Sequence, residues 1–238
     1  MDFYDLLKDA FSYTWEGVVL NMKRWAALIL AVICLGIPMN GYTVRIFRGT
    51  DAAPDVDRWG TLFIDGIKLM IVGIIYAIPV LIVWGIICGS AILGAAAGDT
   101  TALVQDPNMA LLLLLYIVEI VVAIITPLAY IRFARTGSIA RAFDVGAIIR
   151  TIQKIGWINY LLALVIVALV IGIPIFLLVF GTIIISGAAL YVFTEGKIEF
   201  LFAIAGLLIL FMLIISPPIS VFQSRYLTRV YDCAKPAE

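Results

Sequence analysis

Five long apolar stretches separated by polar connections dominate the pattern of hydrophobic and polar positions along the chain. A helix rises 1.5 Å per residue, so about 20 apolar residues cross a hydrocarbon core of about 30 Å. The pattern predicts membrane spans at Trp25–Tyr42, Leu69–Gly94, Met109–Ile131, Trp157–Tyr191 and Phe200–Phe222. The predicted fold class is therefore all-α, a polytopic transmembrane helical bundle with about five spans.

Two of these stretches have unusual lengths, and four or six spans are the alternatives. The first stretch is short, and four helices would cross if it were re-entrant or lay in the interface. The fourth, Trp157–Tyr191, is long enough for one tilted, kinked helix, or for a span followed by a re-entrant turn at Gly172–Pro174. We favour one crossing for the fourth stretch.

Shorter amphipathic patterns accompany the apolar stretches. Residues 2–22 place apolar side chains at helical spacing and predict an interfacial helix that packs on the bundle, with Asp2 as its cap. Similar patterns precede the second and fourth spans, where Asp57 and Asp144 stand at expected N-cap positions. We divide the chain into an N-terminal amphipathic helix (1–24), a transmembrane domain (25–222) and a cytoplasmic C-terminal tail (223–238).

An internal duplication is predicted from a motif that recurs at the ends of the odd-numbered spans. Each copy has a proline, an interfacial aromatic residue and two arginines three or four positions apart, a spacing that places both arginines on one helix face. The copies begin at Pro38, Pro127 and Pro218. An amphipathic helix followed by two spans occurs twice, at about residues 57–135 and 144–229.

Composition supports a membrane protein and argues against several other classes. Hydrophobic residues make up 64% of the chain and charged residues 13%, whereas soluble domains carry roughly 25% charge. The net charge is zero, which gives no basic excess for nucleic acid. The chain has no histidine, and Cys34, Cys88 and Cys233 lack metal-ligand spacing. We therefore expect no metal and no cofactor.

Basic residues orient the predicted bundle. Twelve of the sixteen Lys and Arg residues lie in two loops and the tail, which places these segments in the cytoplasm. Five crossings would leave the N-terminus outside, and four would make it cytoplasmic. We interpret the paired arginines as topology anchors that contact lipid phosphates: Arg45, Arg48, Arg132, Arg135, Arg225 and Arg229.

Three stretches of the sequence resemble a known protein family: GYTVRIFRG (Gly41–Gly49), APDVDRWGTLFIDGIK (Ala53–Lys68) and IYAIP (Ile75–Pro79). They are similar to the most recognisable block of a largely archaeal family of polytopic membrane proteins catalogued as a domain of unknown function. The resemblance implies a prokaryotic, archaeal cell membrane. It implies no reaction and carries over no catalytic residues.

Glu119 is the sharpest candidate for a functional residue within the spans. It lies near the centre of the third span, where an unpaired carboxylate costs at least about 2.5 kcal/mol. We expect the side chain to be mostly protonated and to face protein or a water-filled interior. A structural hydrogen bond to another helix is one interpretation, and a proton- or cation-responsive site in a pathway is the other.

Prolines and small residues indicate how the helices bend and pack. Prolines lie in every span and are predicted to kink the helices: Pro38, Pro79, Pro127, Pro174, Pro217 and Pro218. Thr126 and Ser216 stand beside two of these prolines and can bond freed backbone carbonyls. A small-residue stripe, Gly85, Gly89, Ser90 and Gly94, allows close helix packing within the bundle or between subunits.

These features predict a multi-pass protein of the cell membrane that has no enzymatic activity, because no catalytic constellation is visible in the sequence. The favoured function is an oligomeric structural or assembly module, with the lipid bilayer and further copies of the chain as its partners. A channel or transporter with Glu119 in its pathway is the alternative. An intramembrane enzyme ranks third.

Overall fold

The computed structural model describes residues 1–96, 98, 108–193 and 198–234. These residues form nine α-helices and no strand, which confirms the predicted all-α class. In chain order the helices are α1 (Phe3–Thr14), α2 (Met22–Ile33), α3 (Ile37–Phe47), α4 (Trp59–Ala96), α5 (Met109–Thr136), α6 (Ile139–Ala142), α7 (Val145–Ile155), α8 (Trp157–Phe193) and α9 (Ile198–Asp232). A π-helical segment, Trp15–Val19, continues α1.

Four helices in the described part of the chain are long and apolar enough to cross a membrane: α4, α5, α8 and α9. They correspond to the second to fifth predicted spans. Helix α8 continues unbroken through Gly172 and Pro174, so the fourth stretch forms one helix and has no re-entrant turn. Four spanning helices is the number expected if the first apolar stretch does not cross the membrane.

The first apolar stretch does not form a spanning helix. It divides into α2 and α3 at Leu35 and Gly36, whose φ angles of 59° and 69° are left-handed. With 12 and 11 residues, each helix is at most about 18 Å long and cannot cross a core of about 30 Å. Pro38 lies in the first turn of α3 and therefore starts a helix, which corrects its assignment as a kink.

Local capping explains where two helices begin. The carboxylate of Asp2 accepts a hydrogen bond from the backbone N–H of Tyr4 at 2.9 Å and thereby caps α1 as predicted. Asp144 caps α7 in the same way through the N–H of Ala147 at 3.0 Å. Asp57, the other expected cap, instead accepts a bond from the guanidinium of Arg45 at 2.6 Å.

The hydrophobic core lies towards one end of the bundle. Its largest fully buried side chains come from several helices and include Tyr42, Leu128, Ile131, Tyr160 and Tyr226. The C-terminal ends of α3, α5 and α9 meet here, because Arg135 of α5 bonds both the carbonyl of Phe47 and the carboxylate of Asp232. We call this end, which carries the paired arginines, the basic end.

The element order agrees with the predicted duplication. Helices α4 and α5 pack as one hairpin and α8 and α9 as another, and α7 precedes the second hairpin as an amphipathic helix. In the first copy the amphipathic segment is continuous with α4, whereas Gly156, with φ +94°, separates α7 from α8. The three helices that carry the repeated proline motif, α3, α5 and α9, all contact one another.

Candidate functional site

All six predicted anchor arginines have an aspartate partner. The pairs and their N–O distances are Arg45–Asp57 at 2.6 Å, Arg48–Asp65 at 2.7 Å, Arg132–Asp144 at 3.4 Å, Arg135–Asp232 at 2.9 Å, Arg225–Asp9 at 2.7 Å and Arg229–Asp9 at 2.6 Å. These contacts hold the loops and both terminal helices to the basic end. Contact of the arginines with lipid phosphates stays a prediction.

Arg225 is the most buried of these arginines, with 5% of its side chain exposed. Its Nε donates to Asp9 at 2.7 Å, and one terminal nitrogen donates to the backbone carbonyl of Thr50. The guanidinium also lies over the ring of Tyr13, 4.4 Å from its centre. A buried guanidinium needs such partners, since an unpaired charge is strongly destabilising in the interior.

Asp9 joins α1 to α9 through two arginines. Arg225 and Arg229 are four residues apart, so both reach the same carboxylate from one face of α9. Burial raises the pKa of Asp9, but hydrogen bonds from Arg229 and Arg225 and their positive charges outweigh this effect and lower it to about 2. Asp9 is therefore charged across the physiological pH range.

Glycines allow the backbones of α3 and α4 to approach closely, a role that the sequence analysis missed. A Cβ atom on Gly41 would overlap the carbonyl oxygen of Leu62, and one on Gly66 would overlap the carbonyl oxygen of Ile37. Gly49, with φ +88°, leaves room for the guanidinium of Arg135, which would lie 2.7 Å from an added Cβ. All three glycines lie in the segment that carries the family resemblance.

Glu119 lies on the half-buried side of α5, one turn after the buried Leu115. Within the described part of the chain its carboxyl group makes no hydrogen bond and no ion pair. The structure therefore does not bring Glu119 together with the arginines of the basic end. No cluster of three or more metal-ligating side chains occurs among the described residues.

The prolines inside α4, α5, α8 and α9 leave carbonyls without their helical donor. Pro217 frees the carbonyl of Leu213, and the Ser216 hydroxyl bonds it at 3.2 Å, as predicted. Pro218 frees the carbonyl of Ile214, which accepts a bond from the Trp25 indole at 2.9 Å. The Trp25 contact was not foreseen and fixes α2 against α9.

The Thr126 hydroxyl does not follow the same rule. It bonds the carbonyl of Val122 at 2.7 Å, whereas the carbonyl that Pro127 frees is that of Ala123. The prediction that Thr126 bonds the freed group was therefore wrong by one position.

The small-residue stripe of α4 is open in the single chain. A Cβ atom added to Gly85 or Gly89 would meet nothing within 4 Å. Close packing at these two glycines therefore does not occur within the described chain. Gly94 is half-buried, and the side chain of Ser90 lies outside the described residues.

Long apolar helices, a core at one end and arginines paired at that same end define this chain as a polytopic α-helical membrane protein. The family described as a protein of unknown function (DUF4013) matches residues 25–185, and the chain belongs to it. The match begins in α2 and ends within α8, so it includes the α3–α4 glycine contact. No curated protein and no solved structure matches the chain.

Proposed function

We propose that this protein is a non-catalytic module of the cell membrane that assembles with further copies of itself through its spanning helices. The observation that carries the proposal is the open glycine face of α4, where a Cβ atom added to Gly85 or Gly89 would meet nothing within 4 Å in the described chain. Small residues at this spacing let two helices approach closely in lipid. A second copy of α4 would supply the missing partner.

The low burial of the spans supports the same function. In the most apolar 18-residue segment of each spanning helix, only 6% to 11% of the residues are buried within the chain. Lipid or another subunit must cover the remaining surface. The six anchor arginines, in contrast, are all paired with aspartates at the basic end, which leaves the apolar helix surfaces available for association.

Mass measurement in lipid nanodiscs tests this proposal. We expect particles with more than one copy for the wild-type protein and a shift towards monomers for Gly85→Leu or Gly89→Leu, because the larger side chain blocks the close approach. Gly172→Leu is the matched control, since Gly172 is equally open but lies on α8. A monomeric wild-type particle, or equal effects of Gly85→Leu and Gly172→Leu, would contradict the proposal.

Transport is a second candidate function, favoured by the unpartnered carboxyl group of Glu119. If Glu119 relays protons or cations, Glu119→Gln abolishes a pH-dependent flux in proteoliposomes while thermal stability is retained. If it has a structural role, Glu119→Gln preserves assembly, because the amide keeps the shape and hydrogen-bonding capacity, and Glu119→Leu lowers the unfolding temperature. Wild-type proteoliposomes without any pH-dependent flux would exclude the transport role.

A further inference from the structure

Arg48 differs from the other five anchor arginines because it has few partners. Each of the others makes at least two hydrogen bonds. Within the described chain Arg48 makes one, from a terminal nitrogen to Asp65 at 2.7 Å, and 44% of its side chain is exposed. The Nε and the second terminal nitrogen of Arg48 therefore remain available as donors.

A second arginine with unused donors stands near Arg48. Arg58 lies one residue before the start of α4, and 75% of its side chain is exposed. Its Nε donates to Asp57 at 3.3 Å, and its two terminal nitrogens have no acceptor in the described chain. The guanidinium groups of Arg48, at the end of α3, and Arg58 both line one cavity of about 210 Å³.

The buried Arg45 forms part of the wall of this cavity and holds the loop that carries Arg58. Its side chain is 10% exposed. It donates to the Asp57 carboxylate at 2.6 Å, to the Thr61 hydroxyl at 2.9 Å and to the backbone carbonyls of Asp55 and Asp57 at 2.8 Å. The donors of Arg48 and Arg58 are thus presented on a fixed base.

The charges around the cavity favour an anion. Three arginines and Asp65 line it, and Asp57 lies beside it, bonded to two of these arginines. These five groups leave an excess of one positive charge, and the N-terminal end of α4 adds the positive end of its helix dipole. A polar cleft beside α1 has the opposite balance, because carboxylates outnumber the cations among its charged groups: Asp5, Asp9, Glu16, Asp51, Lys8 and Arg225.

The donors indicate which anion fits. A guanidinium group gives parallel N–H···O bonds to the oxygens of a phosphate or a carboxylate. A phosphate group carries close to two negative charges and offers three strong acceptor oxygens. It is therefore better matched than a planar carboxylate to two guanidinium groups that approach from two different helices.

We propose that the cavity between the end of α3 and the start of α4 binds a phosphate group through Arg48 and Arg58. Asp65 orients Arg48, and Arg45 positions the loop before α4. The phosphate group belongs to a membrane lipid or to a soluble compound. Gly85 lies 24 residues beyond Thr61 on the same helix, about 36 Å away, so the site does not depend on self-assembly.

Two probes distinguish the sources of the phosphate group. The purified full-length protein is stripped of lipid in a non-ionic detergent. Native mass spectrometry then counts bound phosphatidylglycerol, and equilibrium dialysis measures bound radiolabelled inorganic phosphate. Binding of phosphatidylglycerol alone would support the site and identify a lipid, and binding of inorganic phosphate would support a site for a soluble compound. A wild-type protein that binds neither probe would overturn the proposal.

Exchange of the two arginines locates the bound probe. Arg58→Gln should lower the affinity roughly fivefold, the usual effect of one basic residue near an anionic surface. It should change the unfolding temperature little, because an exposed ion pair contributes little to stability. Arg48→Gln should lower the affinity at least as much.

Arg150→Gln is the matched control for these variants. Arg150 is exposed on α7, forms no ion pair within the described chain and does not line the cavity. The substitution makes the same change in net charge and should leave the affinity unchanged. Equal losses of affinity in Arg150→Gln and Arg58→Gln, or no loss in either Arg48→Gln or Arg58→Gln, would refute the site.

Discussion

Two charges, Asp9 and Arg225, contribute to the attachment of the N-terminal helix to the rest of the protein, beside the apolar contacts of α1 with the core. The guanidinium of Arg225 is nearly fully buried and its donors reach a carboxylate and a carbonyl. Such a group is stable only while each partner remains, because removal of one leaves a buried charge uncompensated. The attachment of α1 to α9 is therefore sensitive to the ionisation of Asp9.

Acid should weaken this attachment, and Asp9→Asn should reduce the acid sensitivity of the protein. Because the folded pKa of Asp9 lies near 2, below the ordinary value of 3.8, the stabilisation is fully present above about pH 4 and is lost as the pH falls towards 2. It amounts to roughly 1–2 kcal/mol after allowance for solvent around a side chain that is 30% exposed. Thermal unfolding in detergent, measured from pH 7 to pH 2.5, checks this.

The control for this experiment is Asp5→Asn. Asp5 is exposed on the same helix, and its carboxylate forms no ion pair within the described residues. We expect the Asp5 variant to follow the wild-type profile, whereas the Asp9 variant should unfold at a lower temperature at pH 7 and change less with acid. Parallel pH profiles for the Asp9 variant and the wild-type protein would show that this carboxylate is not the responsible group.

At the scale of helices, the contact between α3 and α4 depends on two glycines. The backbones are so close at Gly41 and Gly66 that any side chain would overlap a carbonyl oxygen. A carbonyl of a packed helix moves only with its whole turn, so the overlap must separate the two helices. The sequence stretches that resemble the family therefore contain two glycines that the packing of α3 against α4 requires.

Gly41→Ala and Gly66→Ala should each destabilise the protein by roughly 1–3 kcal/mol or more, which is typical of overpacked interiors. Gly172→Ala should have no effect or raise the unfolding temperature, because the added methyl group meets nothing within 4 Å and alanine favours the helix. Thermal unfolding of the three variants in one detergent makes the comparison. Similar stability of Gly41→Ala and Gly172→Ala would show that the close approach is absent.

The sequence predicted the long helices well because their apolar runs are uniform. Four predicted spans correspond to α4, α5, α8 and α9. The first stretch failed because hydropathy counts apolar residues and disregards the local signals at Gly36 and Pro38. A left-handed glycine is typical of a helix end and a proline in the first turn is typical of a helix start, and here the two residues separate two short helices.

The partners within the candidate site were harder to predict than the helices. The spacing of Arg225 and Arg229 correctly predicted that both lie on one face of α9. Their carboxylate, Asp9, is 216 positions from Arg225 in the chain and can be identified only once α1 is docked. Trp25 reaches the carbonyl of Ile214 in the same way, across 189 positions.

At the scale of the whole molecule, four crossings change the expected position of the N-terminus. An even number of spans returns the chain to the side on which it started. The contact between Asp9 and Arg225 agrees, because it holds α1 at the basic end together with the end of α9. Lys8, Lys23 and Arg24, which five crossings would have left outside, then join the other basic residues on one side.

That distribution predicts that the basic end faces the cytoplasm, since cytoplasmic segments carry the excess of Lys and Arg. In a background without the natural cysteines, a membrane-impermeant thiol reagent added to intact cells should label Met109→Cys, because Met109 is 69% exposed at the start of α5, far from the basic end. It should label Asp5→Cys only after the cells are permeabilised. If Asp5→Cys is labelled in intact cells and Met109→Cys is protected, the orientation is the reverse of the one predicted. If both are labelled, the number of crossings between these two positions is even instead of odd.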